Sequence, residues 1–76
     1  MFNTKSKQAC KEMEMLFSEI QINLENNYKD LAIDARKKAD ARLNELKASG
    51  VLIDKHYDKL KEKMDGYTKR MEGYHH

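Results

Sequence analysis

Neither proline nor glycine occurs in the first 49 residues of this 76-residue chain, and its three glycines are Gly50, Gly66 and Gly73. These two residue types interrupt helices most strongly, so their absence allows long stretches of the chain to be helical. Most of the remaining sequence consists of Lys, Glu, Asp, Ala, Leu and Met, which lie mainly at the helix-favouring end of the propensity scale. We therefore predict an all-α fold.

Apolar side chains recur at steps of three and four residues along three segments, which is the spacing of one helical face. The three series are Cys10, Met13, Phe17, Ile20, Leu24; then Tyr28, Ala32, Ala35, Ala39, Leu43, Leu46; then Ile53, Tyr57, Leu60, Met64, Tyr67, Met71, Tyr74. They predict helices over residues 4–25, 28–48 and 53–72 in a single domain. The expected architecture is an antiparallel helical hairpin or a three-helix bundle with heptad-type seams.

Asn26 and Asn27 separate the first two series and allow two interpretations. Asparagine is poor inside a helix and good as an N-cap, and Asp30 resembles the acidic partner of a capping box that starts at Asn27. A break here gives three helices of similar length. However, the two consecutive four-residue steps that end at Tyr28 also fit a stutter within one continuous helix.

Gly50 is followed directly by three aliphatic residues, Val51, Leu52 and Ile53. A glycine just after a helix readily takes the left-handed conformation that ends it. If Gly50 is that C′ residue, Val51 and Leu46 are placed to make the apolar contact of a Schellman turn. We therefore predict a structural turn at Gly50 that forms the corner of an antiparallel hairpin.

Seven positions of the segment LNELKASGVLIDKHYDKLKEKM, residues 43–64, follow the pattern of the SHOCT module, a short bacterial helical hairpin usually found at protein C-termini. The matching residues are Leu43, Leu46, Gly50, Val51, Leu52, Tyr57 and Met64. The segment resembles this family but departs from it at Ile53, where the family usually has a Thr or Ser N-cap, so Asp54 would have to cap the next helix. The resemblance implies oligomerisation or protein–protein contact, and it carries over no catalytic residues.

The size of the chain favours self-association. A core of this size rarely supplies more than about 3–5 kcal/mol of net stability. The single cysteine, Cys10, excludes an intrachain disulfide, and the sequence has no CxxC or HxxxH spacing for zinc. We therefore expect a dimer or higher oligomer, with no metal and no cofactor.

The seams are rich in methionine and tyrosine, which are adaptable and amphipathic and suit protein interfaces. The candidate interface residues are Met13, Phe17, Ile20, Tyr57, Leu60, Met64, Tyr67 and Met71. Met15 and Ile22 lie off the first seam and indicate a second contacting surface. These features favour a non-catalytic interaction or oligomerisation module that also binds a protein partner, as an adaptor, accessory subunit or small inhibitor.

A nucleic-acid-associated regulator is the alternative function, because basic residues of the second and third predicted helices would hold phosphates, chiefly four on the second. These four residues are Arg36, Lys37, Lys38 and Arg42. Acidic residues are interleaved with the lysines and the net charge is only +2, so the protein-binding interpretation is favoured.

Catalysis has no candidate residues, since the sequence contains no nucleophile with a base and no glycine-rich phosphate loop. Cys10 lies on an apolar seam and His56 lies beside one, and both positions favour structural roles. We predict that the protein is not an enzyme. No apolar run reaches the length of a membrane span, so we expect a cytoplasmic protein that does not contact membranes. His75 and His76 fit either a native end or a purification tag and are excluded from the site arguments.

Overall fold

The computed structural model describes residues 4–74, which form three helices joined by two short corners. The helices are α1 (Thr4–Glu25), α2 (Lys29–Ser49) and α3 (Asp54–Arg70). The predicted all-α class is confirmed. His75 and His76 lie outside the described residues.

Polar pairs between the helices define their directions. Glu12 pairs with Arg42 and Glu19 pairs with Lys38, so the residue numbers of α2 fall as those of α1 rise, and these helices are antiparallel. Between α1 and α3, Glu14 bonds to Lys63 and Gln21 to Arg70, and both pairs are 49 residues apart. Helices α1 and α3 are therefore parallel, and the bundle runs up, down and up.

The core lies along the common axis of the three helices and combines large side chains of α1 and α3 with small ones of α2. Met13, Phe17 and Ile20 of α1 and Met64 of α3 are at most 1% exposed. From α2 the core receives mainly alanines, followed by leucines towards its C-terminal end. Because alanine lets two helix backbones approach closely, α1 and α2 share the most extensive contact in the bundle.

The buried face of α2 differs from the second predicted series at two positions. Tyr28 is 55% exposed, because α2 begins only at Lys29 and Tyr28 therefore lies at the corner and not on the buried face. Ile33, which lies off the predicted series, is buried.

The corner between α1 and α2 is closed by a complete Schellman motif. Asn27 has a left-handed backbone with a φ of 60°. Its N–H donates to Leu24 O at 3.1 Å, and the Tyr28 N–H donates to Asn23 O at 2.9 Å, which are the two bonds of that motif. The prediction of Asn27 as the N-cap of α2 is therefore wrong. The N-cap is Tyr28, without a side-chain bond, and Asn27 instead ends α1.

The corner between α2 and α3 contains the predicted left-handed glycine. Gly50 has a φ of 75°, and its N–H donates to Lys47 O at 3.2 Å. In a full Schellman motif, the carbonyl of Leu46 would accept the N–H of Val51. Here it accepts the Ser49 hydroxyl at 2.9 Å. Leu46 is buried and Val51 packs partly buried against the same core.

No neighbouring side chain in the sequence caps the start of helix α3. Its N-cap is Ile53, which has no oxygen in its side chain, so the expectation that Asp54 caps the helix is wrong. Instead, Ser6 of α1 accepts the N–H of Ile53 at 3.1 Å. The hydroxyl of one helix therefore satisfies a backbone donor at the start of another.

Candidate interaction surface

The predicted interface residues lie mostly in the core of the single chain. Six of the eight are between 0 and 5% exposed, namely Met13, Phe17, Ile20, Leu60, Met64 and Met71. Tyr57 and Tyr67 are half-buried against the same core. A side chain that is buried within its own chain is not available to a partner. The seams therefore hold the monomer together, and contact with another chain must use other residues.

The half-buried tyrosines face cations and polar groups of their own chain. Lys47 lies 3.9 Å from the ring centre of Tyr57. The ring of Tyr67 lies 5.8 Å from that of Phe17, and its hydroxyl is 3.4 Å from the side-chain oxygen of Gln21. Both rings therefore pack against groups of their own chain, as suits an amphipathic side chain at the edge of a core. Their presence in the third series is thus explained within the bundle.

Among residues 4–74, four large apolar side chains remain more than half exposed. They are Met15 at 75%, Ile22 at 56%, Tyr28 at 55% and Leu31 at 55%. We call these four residues the exposed apolar band. Sequence reasoning found Met15 and Ile22 because they lie off the first seam, but it placed Tyr28 in the core.

Helix geometry places these side chains along one side of the bundle. Met15 and Ile22 are seven residues apart, so they share a face of α1, and this face is opposite to the one that carries the core residues. Leu31 is seven residues before Lys38, which pairs with Glu19 of α1 at 3.9 Å, so Leu31 lies beside the junction of α1 and α2. The exposed apolar band therefore extends from the outside of α1 to the Asn27 corner.

Carboxylates of α1 already pair with some of the basic residues of α2. Arg42 donates to both oxygens of Glu12, at 2.6 and 3.1 Å. The pKa of Glu12 lies below its ordinary value because its carboxylate accepts this bond. Lys38 pairs with Glu19, while Lys37 is exposed and Arg36 is half-buried. Two of the four candidate phosphate-binding residues thus already help to join α1 to α2.

Cys10 and His56 lie together in a groove of about 270 Å³ between α1 and α3, which is also lined by Glu14, Lys59, Leu60 and Lys63. Burial raises the pKa of the Cys10 thiol, Glu14 raises it further, and Lys59 lowers it. A raised pKa disfavours the thiolate, which is the reactive form. This environment suits a structural cysteine.

Ser6 is the residue that sequence reasoning missed. It is 1% exposed, and its Oγ lies 2.7 Å from His56 Nδ1 while also accepting the N–H of Ile53. One hydroxyl oxygen thus contacts both a ring nitrogen and a backbone N–H of the third helix region. Because Ser6 is buried and already bonded, this pair joins α1 to α3 and does not present a nucleophile to solvent. Its position could have indicated burial, because Ser6 lies four residues before Cys10 and so extends the first apolar series towards the N-terminus.

Comparison of the chain with protein-family models, with curated proteins and with solved structures found no match. The resemblance of residues 43–64 to the SHOCT module therefore stays a prediction. Within residues 4–74, no three His, Cys, Asp or Glu side chains come together in a group that could hold a metal ion. No helix in this described range is long and apolar enough to cross a membrane.

Proposed function

We propose that this protein is a small non-catalytic interaction module that binds another protein chain through its exposed apolar band. The observation that carries the proposal is the exposure of Met15, Ile22, Tyr28 and Leu31 on one side of the bundle. Grouped apolar side chains at a protein surface mark interaction sites more often than those scattered singly. Methionine and tyrosine are also enriched at protein interfaces.

The internal structure of the bundle supports the same interpretation. The chain has a core formed by all three helices, and no buried side-chain nitrogen or oxygen in its described part lacks a hydrogen-bond partner. None of the four exposed apolar side chains belongs to that core. Their size is explained by contact with a partner, which would bury them. The lone thiol of Cys10 further favours a reducing compartment such as the cytoplasm.

Site-specific photo-crosslinking in the source cells tests the proposal. A photoreactive residue at Met15 or Leu31 is compared with one at Thr68, which is exposed on α3 outside the band. We expect crosslinked protein products from the two band positions and few from Thr68. Equal yields at all three positions would contradict the proposal. Products that disappear after nuclease treatment would instead favour the nucleic-acid-associated regulator.

A further inference from the structure

The outside of α1 carries a charge pattern that complements itself. The exposed positions that repeat at four and three residues along this face are Thr4, Gln8, Lys11, Met15, Ser18, Ile22 and Glu25. We call these seven residues the outer stripe. Apolar residues lie near its middle, a lysine lies on its N-terminal side and a glutamate lies at its C-terminal end. When a second copy of the helix runs antiparallel to the first, this order places the lysine of each copy opposite the glutamate of the other.

The spacing of these residues fits that reversed arrangement. Lys11 lies seven residues before Ser18 and Glu25 lies seven residues after it. At 1.5 Å per residue, each charge is about 10 Å from Ser18 along the helix axis. Met15 and Ile22 lie about 4.5 and 6 Å from Ser18 on opposite sides. A two-fold axis at Ser18 therefore places Lys11 opposite Glu25, and Met15 within about 1.5 Å in axial position of Ile22.

The charges of the outer stripe are also available to a partner. The three other glutamates of α1 each pair with a basic residue of α2 or α3, and these pairs are Glu12 with Arg42, Glu14 with Lys63 and Glu19 with Lys38. Lys11 and Glu25, by contrast, make no ion pair within the described residues. The α1 glutamates that face the other helices are thus paired within the chain, whereas Lys11 and Glu25 on the outer stripe are not.

We propose that the partner of the outer stripe is a second copy of this chain, packed antiparallel with a two-fold axis near Ser18. Met15 of each copy packs against Ile22 of the other, and Lys11 pairs with Glu25 at both ends. The contact is isologous and closes on itself, so it produces a dimer and not a filament. This inference rests on the proposed function and names a partner for two residues of the exposed apolar band, Met15 and Ile22.

The available area makes this a weak dimer. The 22 residues of α1 span about 33 Å, and a helix face about 10 Å wide gives roughly 330 Å² per copy. Stable interfaces bury about 800 Å² per partner. We therefore expect a dissociation constant on the order of 10–100 µM, with an equilibrium that shifts on dilution.

Charge exchange tests the arrangement by sedimentation equilibrium at low salt, from about 5 µM to about 1 mM protein. Lys11→Glu alone and Glu25→Lys alone each place like charges at both ends of the dimer, and each should weaken it about tenfold or more. The double variant, with both changes in one chain, restores opposite charges and should dimerise like the original protein. Circular dichroism should show the same helix content for all four proteins.

The outcomes separate the possible arrangements. A parallel dimer already places like charges together, so equal dimerisation of all four proteins would overturn the antiparallel arrangement. A 9.0 kDa monomer at every concentration would overturn the dimer itself. If a photoreactive residue at Met15 then still captured a different protein, the proposed function would stand while this inference fails. If it captured no protein, both would fail.

Discussion

The corner between α1 and α2 is closed by its own backbone, whereas the corner between α2 and α3 depends on a side chain from a distant part of the sequence. At the first, Asn27 is left-handed and both Schellman bonds form locally. At the second, Gly50 is left-handed, but the N–H of Ile53 is satisfied by Ser6, which is 47 residues away. Glycine is the clearer sign of a turn in the sequence, yet the corner at Gly50 depends more on a residue that is distant in the sequence.

This difference shows that a turn residue determines how a helix ends but not how the next helix begins. Gly50 ends α2, and three further residues lead to α3, whose N-cap Ile53 has no capping bond from its own side chain. At the other corner, one motif both ends α1 and leads directly into α2. Stability of the glycine corner should therefore depend on tertiary contact, and that of the asparagine corner on local conformation.

The largest effect is expected at Ser6. Ser6→Ala removes the acceptor for the Ile53 N–H and the partner of His56 Nδ1. An unsatisfied donor in a largely buried position costs about 1–3 kcal/mol, so the free energy of unfolding should fall by about 1–2 kcal/mol. Chemical denaturation measures this change. Amide hydrogen exchange should also become faster at Ile53.

Ser18→Ala is the matched control, because Ser18 is an exposed serine in the same helix. It changes helix propensity in the same direction without removing a buried hydrogen bond, so it should be neutral or slightly stabilising. If both variants lost the same stability, the contrast between the two corners would not hold.

A smaller loss is expected at Gly50. Nothing lies within 4 Å of a Cβ at this position, so Gly50→Ala introduces no clash, and its cost comes from the left-handed backbone alone. We expect a loss of about 1 kcal/mol in thermal or chemical denaturation. Gly66→Ala is the control, since Gly66 is inside α3 and also has open space around it. That substitution should stabilise the protein by about 0.5–1 kcal/mol, and the same sign at both glycines would contradict the left-handed turn.

Features that depend on neighbours in the sequence were predictable. The three apolar series and the left-handed Gly50 follow from periodicity and from the lack of a Cβ, and both are local properties. The function of Asn27 was not predictable in the same way, because asparagine is favoured both as an N-cap and as a left-handed residue. Both roles are local, so propensity alone does not choose between them.

The candidate site was less predictable than the fold. A heptad seam indicates that a helix face is buried against another helix, but it does not indicate whether that helix belongs to the same chain. Phe17 and Met64 were therefore assigned to an intermolecular interface and lie in the monomer core. Met15 and Ile22 were recognisable because they lie off the seam. Ser6 was missed because its two partners, Ile53 and His56, are distant in sequence.

The smallest effect is expected at Asn27, where the change should be a gain. Glycine adopts a φ of 60° without the strain that a side chain adds, so Asn27→Gly should raise the free energy of unfolding by a few tenths to about 0.5 kcal/mol. Asn26→Gly is the control. The Asn26 side chain donates to Ile22 O at 3.0 Å, and its loss should slightly destabilise the protein. Denaturation of both variants under identical conditions gives the two signs. A loss at Asn27 would mean that the asparagine side chain, and not the local backbone, holds this corner, and the contrast with Gly50 would then disappear.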